Sequence, residues 1–202
     1  MNYISIQNLN INYDELKVFE NFNKEFKSGI HWIQGFNGCG KSTLLKSISG
    51  ILKVPDGVVE IMGFDINSQA IKAKSELCYV ADKPEVFPFM TGIQFLEMVA
   101  KIKGTKLTQD LYDWLDNINL TQFNNTEFSQ MSFGTRRKFT LSACLIAQPQ
   151  VILLDEPFNG LDTHTTMCLK EWLIQSKDTK CILIASHDTH ILKEEYDSIL
   201  NV

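Results

Sequence analysis

Gly35-Phe36-Asn37-Gly38-Cys39-Gly40-Lys41-Ser42 decides the reading of this chain. A glycine, four residues, a second glycine, a lysine and a serine form the pattern of a phosphate-binding loop between a strand and a helix. The glycines let the backbone turn tightly, so that successive N–H groups from Gly35 and Asn37 through Thr43 point inward at a β-phosphate. Lys41 adds a point charge for the β/γ-phosphates, and the Ser42 hydroxyl is placed to ligate Mg²⁺. Both flanks suit the motif. Ile30-His31-Trp32-Ile33 reads as a strand, and Thr43-Leu44-Leu45 with Ile48 reads as an amphipathic helix running from Lys41 to about Gly50. That helix aims its positive dipole end at the same anion.

With 202 residues, 44% of them hydrophobic, the chain has the material for one domain with a full-sized core. Its net charge of −5 and only two arginines, Arg136 and Arg137, argue against a nucleic-acid partner. Cys39, Cys78, Cys144, Cys168 and Cys181 are scattered and odd in number, without metal-type spacing, as expected in a reducing compartment. The start, Met1-Asn2-Tyr3-Ile4-Ser5, lacks the basic and apolar regions of a signal peptide. No apolar run approaches the ~18 residues that span a bilayer.

The first third alternates in short β-type runs: Tyr3–Ile6, Phe22–Phe26, Ile30–Ile33 and Val58–Ile61. Leu77–Val80, Val151–Leu154 and Cys181–Ala185 are compact apolar runs of the kind buried on both faces of a parallel sheet. Between them the pattern turns helical. Thr91-Gly92-Ile93-Gln94 has capping-box spacing and opens a stripe that stops at Gly104. Leu111, Trp114, Leu115 and Ile118 form a second stripe, and a third helix is expected to start near Ser132 and end before Pro149. Arg136-Arg137-Lys138 reads as a solvated first turn of that third helix and receives no role, although cations are unfavourable at a helix N-terminus.

Val151–Leu154 delivers two adjacent carboxylates, Asp155 and Glu156. Beside a phosphate loop, the first belongs on the Mg²⁺ side and the second polarises an attacking water. With these motifs the chain resembles the nucleotide-binding subunit of an ATP-binding cassette (ABC) transporter over almost its whole length. Met131-Ser132-Phe133-Gly134-Thr135 stands in the place of that family's Leu-Ser-Gly-Gly-Gln signature. Asn159-Gly160-Leu161-Asp162 resembles its D-loop, His187 its switch histidine, and Tyr13 the aromatic that stacks on adenine, with Phe19 as the alternative. The resemblance implies an α/β fold: a P-loop NTPase core with a mostly parallel sheet, an N-terminal antiparallel β subdomain and an inserted helical subdomain at about 88–133, all within a single 1–202 domain. It also implies the cofactors ATP and Mg²⁺, and a catalytic set of Glu156, His187 and Lys41. Tyr13, the P-loop, Ser132, Gly134 and Asp162 would contact nucleotide, and Ser42, Asp155 and Asp82 the metal.

Two positions depart from the family. Asp82 stands where a Q-loop glutamine is expected, and as an ionised side chain it only accepts hydrogen bonds. An acid there resembles a branch that includes many exporters. In the signature, Phe133 replaces the first glycine and Thr135 the glutamine, while Ser132 and Gly134 remain. The expected function is therefore an ATP-hydrolysing motor subunit, more exporter than importer. It would pair with a second copy or a homologous ATPase and drive a separate transmembrane permease from the cytoplasmic face of the membrane. Pro84–Met90 is the expected docking segment. A soluble ABC-type ATPase without a transport role and a binding-only regulatory cassette are the alternatives.

Overall fold

Runs of apolar residues that alternate between two covered faces explain how the chain builds its central sheet. The computed structural model describes residues 2–13, 16–83, 85–187 and 195–202, so Pro84 of the expected docking segment lies outside the described residues. Strands β3 (Gly29–Gln34), β6 (Leu77–Val80), β7 (Val151–Asp155), β8 (Cys181–Ala185) and β9 (Ser198–Asn201) form one parallel sheet in the order β6-β7-β8-β3-β9. In β7 all five residues are buried. Val151 and Leu153 join one core cluster while Ile152 and Leu154 join the other, as the two-residue period of a strand requires.

One face of this sheet is covered by α1 (Lys41–Ile48), through Leu44, Leu45 and Ile48, and by the second sheet. That second sheet is antiparallel, ordered β2-β1-β4-β5, from β1 (Ile4–Tyr13), β2 (Leu16–Phe26), β4 (Val59–Ile61) and β5 (Phe64–Asp65). The other face is covered by α6 (Thr163–Ser176), through Leu169 and Leu173. Short helix α2 (Ala70–Ser75) links β5 to β6.

A third cluster is helical. It gathers Leu96 and Ala100 of α3 (Gly92–Ile102), Leu111 and Leu115 of α4 (Gln109–Asn117), and Phe139 of α5 (Phe133–Ser142). The capping box at Thr91 is formed: its hydroxyl accepts from the Gln94 N–H, and the Gln94 side chain accepts from the Thr91 N–H. Gly92 is needed there because a methyl group on it would overlap the Phe139 ring. The antiparallel sheet, the parallel sheet and the helical group together are the α/β architecture expected from the sequence.

Parallel order does the positioning. Residues Ile33, Ala185 and Asp155 stand in register across β3, β8 and β7, and Val80 of β6 pairs with Leu154. Whatever follows these four strands therefore emerges side by side at one edge of the sheet. Ligand sites in open α/β sheets lie at that edge.

Candidate nucleotide-binding site

Gly35–Gly40 follow β3 and lead into α1, with positive φ at Gly38 (86°) and Gly40 (117°). A methyl group at Gly40 would lie 2.6 Å from Val18 Cγ1 and 3.3 Å from the Phe19 ring, so β2 packs directly on the loop. Lys41 is 7% exposed, and its ammonium donates to the carbonyls of Gly35 (2.7 Å) and Phe36 (3.2 Å), crossing the loop from below. Asn37 and Gly38 are exposed, whereas Cys39, Ser42 and Thr43 are half-buried at the helix start. Tyr13 is 49% exposed at the end of β1, while Phe19 is 6% exposed within the core. Tyr13 thus keeps an open aromatic face, and Phe19 is committed to packing.

The carboxylates arrive from the neighbouring strand. Asp155 ends β7 at 4% exposure, with the Ser42 side chain beside its carboxylate. Burial, followed by the nearby charges of Asp82 and Glu156, raises its pKa against the opposing help of Ser42 and Arg137. Its neighbour Tyr79, on β6, is also raised, by burial first and by Asp155 second. A carboxylate held above its ordinary range beside a hydroxyl is a pair that a divalent cation would relieve, and the donor set suits Mg²⁺.

Glu156 has left-handed backbone (φ 48°), a conformation that costs a non-glycine residue about 1–2 kcal/mol. Hydrogen bonds hold it there. Its N–H donates to the Ala185 carbonyl (2.8 Å), and its own carbonyl accepts from the Asn159 N–H (3.2 Å) and from Arg137 Nη2 (2.6 Å). His187, after β8, donates from Nδ1 to Glu156 Oε1 at 2.8 Å. One ring and one carboxylate from adjacent strands are thereby already paired.

Ser132 caps α5, its hydroxyl accepting from the Thr135 N–H at 3.1 Å. Gly134 lies so close to the Gly160 carbonyl that a methyl group would overlap it, and Phe133, 48% exposed, lies against Gly160 from the other side. Asp162 caps α6 through Thr165 and pairs with Lys138 at 2.6 Å. The Lys138 contact and the Thr165 bonds hold its carboxyl well below the usual range. The turn Ser132–Thr135 and the turn Asn159–Asp162 are therefore one structure. Among the described residues no hydrogen bond joins either turn to Gly35–Ser42.

The family pattern described as "ABC transporter" matches residues 19–159, more than half of the chain. The chain belongs to this family. It is 26% identical to the uncharacterized ABC transporter ATP-binding protein YybJ of Bacillus subtilis, over 98% of this chain and 90% of that protein. It is 33% identical to the sulfate/thiosulfate import ATP-binding protein CysA of Nocardia farcinica, over 84% of this chain but 52% of that protein. The bacitracin transport ATP-binding protein BcrA of Enterococcus faecalis is 26% identical over 91% of this chain and 61% of its own length. The cassette thus spans about half the length of several relatives. Among solved structures, an ATP-binding subunit of an ABC transporter superposes with a TM-score of 0.88 at 22% identity, covering 99% of this chain and 85% of its own. A dimeric bacterial ABC transporter cassette gives 0.85 at 21%, covering 98% and 94%. CbiO1 from Clostridium perfringens, part of the ABC transporter complex cbiONQ, gives 0.75 at 25%, covering 99% and 84%.

Arg137 of the cassette is the residue that the sequence reading missed. It is fully buried rather than solvated. Its guanidinium donates through Nη1 to the carbonyls of Ala81 and Asp82, and through Nη2 to those of Asp155 (2.6 Å) and Glu156 (2.6 Å). Burial lowers its pKa, and the charges of Asp82, Asp155 and Glu156 oppose that shift. An ion buried without such partners would cost several kcal/mol. The available signal was helical spacing: Arg137, Leu141 and Cys144 fall at i, i+4 and i+7 on the buried face. Asn159, named from sequence only as part of the D-loop resemblance, donates its amide to Asp82 Oδ1 at 3.4 Å. Asp82 itself is half-buried beyond β6, on the same edge of the sheet as Asp155.

Proposed function

We propose that this cassette binds MgATP at Gly35–Ser42 and hydrolyses it as the motor subunit of a transporter, paired with a second copy or a homologous ATPase. The observation that carries the reading is the His187–Glu156 contact of 2.8 Å beside the Ser42–Asp155 pair, all on the edge of the sheet that carries the phosphate loop. Backbone N–H groups from Asn37 to Thr43 and the Lys41 ammonium bind the phosphates, with Tyr13 stacking on the base. Ser42 and Asp155 would hold Mg²⁺, with Asp82 facing the same region, and a bound ion would supply charge neutralisation for the phosphates. Glu156 accepts a hydrogen bond from the attacking water and orients it, and His187 keeps that carboxylate in place and contacts the γ-phosphate. Ser132, Gly134 and Asp162 complete the site of the opposite subunit, since they lie together in one turn structure apart from their own phosphate loop.

Among the described residues no helix is long and apolar enough to cross a membrane. In this reading the coupled permease is a separate transmembrane subunit at whose cytoplasmic face the cassette works. Phe87 (55% exposed) and Phe89 (69%) put two adjacent rings, 5.7 Å apart, on the surface of the expected docking segment. Asp82 in place of glutamine favours export as the direction. Residues 1–202 act as one domain in this scheme, with the helical insert at about 88–133 carrying the signature to the partner.

Phosphate release from purified protein tests the central claim. Wild type is expected to release phosphate from MgATP, and Glu156→Gln to bind nucleotide with release reduced at least ~100-fold. Equal release from the two proteins would refute hydrolysis at this site.

A further inference from the structure

We propose that Arg137 is a positioning residue for hydrolysis, a strut that ties the Asp82 loop to the backbone of Glu156. The inference rests on the ATPase reading above and adds a part to it. Successive carbonyls along a strand point in opposite directions. Two neighbouring carbonyls converge on one donor only where the strand has ended in a turn. Arg137 meets that arrangement twice: Nη1 takes Ala81 and Asp82 just beyond β6, and Nη2 takes Asp155 and Glu156 at the end of β7. The left-handed conformation of Glu156 lets the second pair converge.

The consequence is mechanical. Beyond β6 and β7, the two turns carry Asp82 and Glu156, and the guanidinium is held between them by one bond to each of four residues. A shift of the Asp82 loop pulls on the same planar group that fixes the Glu156 carbonyl. Since Glu156 also receives His187, the carboxylate that orients water is set by three strands at once. Lysine cannot replace the part. An ammonium offers three donors from one point on a flexible stem, whereas the guanidinium spans two carbonyl pairs in a rigid plane. Arg137 does not touch the nucleotide in this scheme and acts only through Glu156.

The test compares Arg137→Lys and Arg137→Gln with wild type, each also in a Glu156→Gln background. Single-turnover hydrolysis of radiolabelled MgATP and affinity for a fluorescent ATP analogue are measured on all six proteins. Arg137→Lys is expected to lower the hydrolysis rate about 10- to 100-fold, the range for partners that orient a reacting group, with nucleotide affinity changed less than about threefold. In the Glu156→Gln background the same substitution is expected to lower the residual rate no further, because the two residues act through one group. A wild-type rate in Arg137→Lys, or an equal loss in both backgrounds, overturns the proposal. Backbone hydrogen exchange provides a readout independent of turnover: segments 81–83 and 155–159 should gain exchange together in Arg137→Lys while α6 stays protected. Unchanged exchange in both segments also overturns it. Hydrolysis absent from wild type, with coupled exchange still present, would remove the ATPase reading and leave the strut.

Discussion

Glu156 is asked to do two things that oppose each other: end a buried strand in a left-handed turn and present a carboxylate at a fixed place. The turn is unfavourable for a non-glycine residue, and it is held by the Glu156 N–H donating to Ala185 and by the bonds that its carbonyl accepts from Asn159 and Arg137. His187→Ala removes the one side-chain hydrogen bond to its carboxylate among the described residues. A fall of about 10- to 100-fold in MgATP turnover is expected, with nucleotide affinity close to wild type, measured by phosphate release and analogue binding. Lys41→Ala should behave differently, because it removes charge from the phosphates themselves; nucleotide binding is expected to be lost along with turnover. The Gly35–Ser42 motif and the Asp155–Glu156 pair were legible from sequence because each follows an apolar strand at a fixed offset. Arg137 was not, since its partners are backbone carbonyls, which leave no mark on residue identity. A triplet of cations at a helix start looks solvated until the helix is placed against two strand ends.

Elements were legible in proportion to their apolar content. Leu77–Val80 and Cys181–Ala185 are the strands that the apolar runs outlined. In contrast, β1 and β2 run on to Tyr13 and back from Leu16, well past the short runs that suggested them. Asparagine hides this extension, being poor in strands by intrinsic preference. Here Asn23 Oδ1 accepts from the Asn8 N–H and Asn10 Oδ1 from the Asn21 N–H, so side chains bridge the ladder at two positive-φ positions. At the α3–α5 contact, Gly92→Ala is expected to destabilise the fold by about 1–3 kcal/mol through overlap with the Phe139 ring. Chemical denaturation monitored by circular dichroism measures it, and an unchanged midpoint would mean that the ring has room to move. Asp65 ties the end of β5 to the turn before β4. Its buried carboxylate accepts from the N–H groups of Gly57, Asn67 and Ser68 and from the Ser68 hydroxyl. Burial works against ionisation, yet these bonds together hold its pKa below the usual carboxylate range. The folded value is depressed, so the stabilisation is present above the unfolded pKa of about 4 and is lost as pH falls through the folded value. Asp65→Asn should therefore be less stable at neutral pH and should lose less stability than wild type on acidification, in urea titrations from pH 7 to 3.

At the scale of the whole molecule, one fact shapes the function: the chain carries both a phosphate loop and a signature turn, built into different places. Gly134 and Phe133 are packed against Gly160, and Ser132 is spent on capping α5. Among the described residues nothing hydrogen-bonds this unit to Gly35–Ser42. Two copies in head-to-tail apposition would let each signature turn meet the other's phosphate loop, and nucleotide would then sit in the interface. In the proposed scheme such a contact would be stable only while the triphosphate is intact, because the γ-phosphate would be the group both chains reach. Glu156→Gln, which should bind ATP without turning it over, is therefore expected to shift from monomer to dimer on adding MgATP, seen by light scattering after gel filtration. MgADP should leave it monomeric, and Lys41→Ala in the same background should abolish the shift. Gly134→Ala separates this scheme from a dimer formed elsewhere on the surface. A methyl group there must push the signature turn away from the Gly160 carbonyl, so the ATP-dependent dimer should weaken at least ~10-fold while monomer binding of ATP persists. An ATP-dependent dimer of undiminished affinity in Gly134→Ala would place the interface away from the signature turn.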